Sequence, residues 1–124
     1  MTNKAIISIG SNKDRTNNIN SVTQLLQSSY PGSRFSTPEI TEPIDLPEGT
    51  KPFLNLVAMI PTAESCEDFC SRLKAIEKDF GRDADEEGIN PLDIEPIEWN
   101  DEVIKPHDLV RPYVVAGMEE IDEF

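Results

Sequence analysis

The sequence predicts an α+β sandwich of the ferredoxin-like type, with a βαββαβ order and two helices on one face of an antiparallel sheet. Three observations carry this. Apolar runs at 5–9 and 53–60 end in turn residues, a stretch of helical periodicity follows each run, and 92–99 alternates apolar with acidic residues. At 124 residues the chain suits one domain, 1–124, since a chain of this size buries roughly two-thirds of its unfolded surface in one core.

The run from Ala5 to Ile9 reads as a buried strand that stops at Gly10-Ser11-Asn12. Ile19, Val22, Leu25, Leu26 and Tyr30 recur at spacings of three and four, which makes 17–30 an amphipathic helix. Asp14 or Thr16 is placed to cap it, and Pro31-Gly32 ends it. Residues 33–37 form a short strand. Four prolines and a glycine between 38 and 52 predict a long loop without regular structure, and long loops inside small domains are often functional. Phe53 to Ile60 is a second apolar strand with Asn55 as its one strongly polar position; Phe53 reads as a core aromatic. A second helix starts at Ser65, with Asp68 near the capping-box spacing, carries Phe69, Cys70, Leu73, Ile76 and Phe80 as its apolar stripe, and ends at Gly81. In the strand 92–99, Pro96 belongs at an edge or a bulge. The tail holds a turn around Pro106-His107 and an apolar run from Tyr113 to Ile121.

Charge narrows the function classes. Residues 1–80 carry 8 basic and 10 acidic side chains, whereas 81–124 carry 3 and 14, so −2 and −11 make the net −13. Such a surface lacks the basic footprint of a nucleic-acid binder. No stretch approaches the roughly 18 apolar residues of a membrane span, and Met1 to Lys4 leads straight into a strand, so the expected location is the cytoplasm. Cys66 and Cys70, four apart on one helical face, are expected to be reduced and buried.

Six segments then resemble one family in order. They are Ile9-Gly10-Ser11-Asn12, Phe35-Ser36-Thr37-Pro38, Phe53-Leu54-Asn55, Ile76-Glu77 with Gly81-Arg82, Leu92-Asp93-Ile94-Glu95, and Pro106-His107 with Arg111-Pro112-Tyr113. Together, over residues 5 to about 121, they resemble the 6-hydroxymethyl-7,8-dihydropterin pyrophosphokinases. The resemblance implies transfer of pyrophosphate from ATP to the hydroxymethyl group of a reduced pterin in folate biosynthesis, with two Mg2+ ions accompanying ATP.

Such transfer works by positioning and charge neutralisation. Asp93 and Glu95 stand at i and i+2 of a strand, so both point to one face, about 6–7 Å apart at the backbone. Carboxylate oxygens suit Mg2+, and the resemblance makes these two the metal ligands and, with Arg82, the catalytic residues. It assigns Thr37, Pro38, Asn55 and Tyr113 to the pterin, with Phe53 able to stack opposite Tyr113. It assigns Glu77, His107 and Arg111 to the nucleotide. His107 reads equally as a turn histidine bonded to backbone. The sequence departs from the family pattern at Glu95, where the family has Asp, at Asn90, near a family arginine, and in the acidic run Asp83 to Glu87. Two readings stay open: an ATP-dependent pterin pyrophosphokinase, or a catalytically impaired pseudoenzyme that binds a ligand or a protein on the same fold. A calcium loop starting at Asp83 fits poorly, because its twelfth position is Ile94 and Pro91 intrudes. The oligomeric state is not legible.

Overall fold

A computed structural model describes residues 2–42, 48–81, 89–106, 109 and 111–122. The elements run β1 (Asn3–Ser11), α1 (Arg15–Ser29), β2 (Arg34–Phe35), β3 (Glu39–Thr41), β4 (Phe53–Thr62), α2 (Cys66–Asp79), β5 (Asp93–Trp99), β6 (Glu102–Val103) and α3 (Pro112–Asp122). The strands form one antiparallel sheet in the order β2-β4-β1-β5-β6, with β3 also paired to β4.

Period-two alternation in β1 splits the core. Ala5, Ile7 and Ile9 face α1 and α2, which bring Ile19, Val22, Leu26, Phe69, Leu73 and Ile76 against them. Phe69 anchors this side, edge-on to Tyr30 at 5.6 Å and tilted to Trp99 at 5.8 Å, geometries that suit the aromatic quadrupole. Ile6 faces the other way, into a second cluster with Val57, Ile97, Val114 and Ile121. The expected α+β sheet sandwich is therefore present, but helices on one face alone is corrected: α3 covers the opposite face. Gly117 lets α3 come close, because a Cβ there would sit 2.9 Å from Val57 Cγ2 and 3.0 Å from Ser36 Oγ.

Three further expectations change. The 38–52 segment is not free of regular structure, because Glu39–Thr41 pairs with Asn55–Phe53; the prolines at 38 and 43 flank the paired residues, so no ladder donor is lost. Asp14 takes the N-cap position of α1 in the left-handed region, at φ 47°, but makes no side-chain cap; its carboxylate instead accepts from Asn17 Nδ2 at 3.0 Å. Cys66 and Cys70 are free but half-buried, not buried. Ser65 does cap α2, accepting the Asp68 N–H at 3.1 Å, and Gly81 turns the chain out of it at φ 96°. Pro96 lies beside a bulge: Ile7 opposes Pro96 whereas Ile6 opposes Glu98. Asn100 and Asp101, at φ 50° and 70°, make the tight turn into β6. Among the described residues no helix is long and apolar enough to cross a membrane.

Candidate active site

The α3 face of the sheet is apolar at one end only. Ile6 lies under α3, but the next two positions of β1 on that face are Ser8 and Gly10. The register extends this polar end across three strands. Gly10 lies between Asn55 on β4 and Asp93 on β5, and Ser8 lies between Val57 and Glu95. Alternation thus brings Asn55, Asp93 and Glu95 to one side, and a cleft of about 940 Å³ opens over them.

Asn55 is nearly buried, at 7% exposure, and its Nδ2 donates to Thr41 Oγ1 on β3. Gly10 is needed here because a Cβ would collide with Asn55 Oδ1. Phe53, Arg111 and Tyr113 also line the cleft. The Tyr113 hydroxyl is 2.8 Å from Ser8 Oγ, which holds its ring at the start of α3 against the sheet. The Thr41 edge is part of the lining, with Glu39, Ile40 and Glu42 beside it.

The loop ends are tied together from β1. Asn12 N–H donates to Asn90 O at 3.0 Å, Asn90 N–H donates to Asn12 Oδ1 at 2.7 Å, and Asn12 Nδ2 donates to Lys51 O at 3.2 Å. Asn90, which lines the cleft, is thereby fixed next to the strand that carries Asp93.

Of the residues singled out from sequence, Asn55, Asp93, Glu95, Arg111 and Tyr113 meet in this cleft. Thr37, Pro38 and Glu77 are not in its lining. The Thr37 N–H and hydroxyl both donate to the Glu120 carboxylate on α3, at 2.9 and 2.6 Å; those bonds hold the Glu120 carboxyl below its usual range. Pro38 is exposed beside β3. Glu77 accepts the Ile94 N–H at 2.8 Å from the α2 side of the sheet. Arg82, His107 and the acidic run 83–88 lie outside the described residues. Phe53, a core aromatic by the sequence reading, is half-buried in the cleft wall at the start of β4. Ser8 and Lys105 also belong to the lining; Ser8 was legible as the polar step in an otherwise apolar strand.

The donor set fits Mg2+. Two hard carboxylates share a polar face, and the rest of an octahedron is commonly supplied by water and substrate phosphates. Arg111 supplies a fixed fork of donors for phosphate or carboxylate oxygens.

Fold and cleft together define an α+β protein with an acid-floored cleft on the sheet face that α3 leaves open. The chain belongs to the 7,8-dihydro-6-hydroxymethylpterin-pyrophosphokinase (HPPK) family, whose model matches residues 6–123. No curated protein matches the chain.

Proposed function

We propose that this cleft carries ATP-dependent pyrophosphoryl transfer to 6-hydroxymethyl-7,8-dihydropterin, a step in folate biosynthesis, on a ferredoxin-like scaffold in the cytoplasm. The observation that carries this reading is the meeting of Asn55, Asp93, Glu95, Arg111 and Tyr113 in one cleft, although four different elements and loops supply them.

Asn55 presents an amide to the pterin edge, and Phe53 and Tyr113 flank the ring by stacking. Thr37 and Pro38 would offer backbone contacts to the pterin just before β3, whose Thr41 lines the cleft. Asp93 and Glu95 would hold the two Mg2+ ions, which supply charge neutralisation at the phosphates and align the attacking and leaving oxygens. Arg111 takes phosphate oxygens, Glu77 holds the strand that bears the two acids, and the family resemblance gives Arg82 a part in catalysis and His107 a part in holding the nucleotide. The pterin hydroxymethyl oxygen attacks the β-phosphorus of ATP. The bond from that phosphorus to the oxygen bridging the α-phosphate breaks, AMP leaves, and the hydroxyl proton passes to solvent.

One observation favours a second reading, a non-catalytic relative. Among the described cleft residues, Glu39, Glu42, Asp93 and Glu95 face only Lys105 and Arg111, and excess carboxylate opposes a polyanionic nucleotide. Incubation with Mg2+, ATP and the pterin separates the two. The proposed reaction yields AMP and the pterin diphosphate in equal amounts. A folded protein that binds the pterin yet forms neither product is the non-catalytic relative.

A further inference from the structure

The polar end of the cleft has a cation that no motif announces. The turn at Asn100-Asp101 sends the chain back along β5, and the N–H groups of Ile104 and Lys105 both donate to Ile97 O, at 2.7 and 3.2 Å. This pins the Lys105 backbone beside the acid strand. Its side chain lines the cleft, and its ammonium lies 3.7 Å from Glu95 Oε2.

We propose that Lys105 is a nucleotide-phosphate contact of this chain, held on Glu95 while the cleft is empty. The inference rests on the pyrophosphokinase reading. Its logic is charge placement. A polyanion entering this cleft needs cations, and Lys105, one of the two that line it among the described residues, is already poised against an acid. Lys105 and Glu95 are 49% and 42% exposed, and a pair so exposed is weak, so it orients the ammonium without trapping it. Lysine suits the task, as a compact charge on a flexible four-carbon stem that serves as a phosphate binder. With Glu95 committed to Mg2+, the Lys105 ammonium would be available to phosphate oxygens.

Two measurements on the full chain test this, with Lys105→Ala and Lys105→Arg beside wild type and folding checked by circular dichroism. In the first, Mg2+ with α,β-methylene-ATP is titrated by calorimetry. Lys105→Ala should bind about tenfold more weakly, the size of one charge-assisted contact, and Lys105→Arg should keep most of the affinity. In the second, Mn2+ alone is titrated by electron paramagnetic resonance. Lys105→Ala should bind it more tightly than wild type, because a competing cation has left Glu95. Equal nucleotide affinity in Lys105→Ala and wild type overturns the inference, as does Mn2+ affinity that is unchanged or weaker. Wild type that is folded yet binds no nucleotide overturns the pyrophosphokinase reading itself and this inference with it.

Discussion

Glu77, at the end of α2, accepts the N–H of Ile94 at 2.8 Å, on the residue that separates Asp93 from Glu95. A helix on one side of the sheet thereby fixes the strand segment whose acids emerge on the other. Hydrogen bonds to a charged acceptor are worth about 1.5–3 kcal/mol. Glu77→Ala should therefore lower stability by about 2 kcal/mol, or several degrees in thermal midpoint. Glu77→Gln should lose less, since its amide oxygen still accepts. Calorimetric melting of the two variants checks both.

The floor of the cleft depends on a missing side chain. A Cβ at Gly10 would strike Asn55 Oδ1, so Gly10→Ala has to displace the amide that lines the cleft. Overpacking of this kind costs about 1–3 kcal/mol. Pterin affinity should fall further than stability alone explains, and Asn55→Ala should lower affinity with a smaller loss of stability. Fluorescence titration with the pterin alongside chemical denaturation separates the two effects.

Tyr113 contributes a ring and a hydroxyl, and the two separate cleanly by substitution. Tyr113→Phe removes the 2.8 Å bond to Ser8 Oγ and keeps the stacking face, so its cost should appear in stability, at about 1 kcal/mol. Tyr113→Ala removes the face as well, and pterin affinity should fall on the order of tenfold. Titration of both variants with the pterin gives the comparison.

The Thr37–Glu120 contact ties the start of the 38–52 segment to α3, and it is sensitive to acid. The Glu120 carboxyl is held below its ordinary 4.5, first by the Thr37 hydroxyl and then by the Thr37 N–H. A folded-state value below the unfolded one means stability that is present above pH 4.5 and lost as pH falls through the lower folded value. The thermal midpoint of wild type should exceed that of Glu120→Gln at neutral pH. The gap should close below pH 4.5. Melting curves from pH 7 down to pH 3 report the difference.

Much of this fold was legible because alternation and helical spacing are strong where burial is one-sided. The runs at 5–9 and 53–60, the two amphipathic helices and the acidic alternation at 92–99 all became elements in the expected order. What was missed had weak local signals. β3 is three residues between prolines, where proline density argues for loop. α3 starts on a proline, which is favourable at a first helical position, but adjacent valines and Gly117 dilute its periodicity. The acids and Asn55 could be placed by parity on their strands. Lys105 could not, because only the tight turn at Asn100-Asp101 and the bond to Ile97 O bring it over β5. The position of Glu77 likewise depends on how α2 packs against β5, a tertiary fact that spacing does not contain.

The claim on which the account turns is that Asp93 and Glu95 act together as the Mg2+ seat. Thermal unfolding with Mg2+ and α,β-methylene-ATP, set against either alone, tests it directly, since a ligand that binds only the folded state raises the midpoint by mass action. Wild type should gain stability with metal and nucleotide together, and Asp93→Asn/Glu95→Gln should keep its fold and lose that gain. An equal gain in the double variant would show that metal and nucleotide bind without these two carboxylates and would contradict the account.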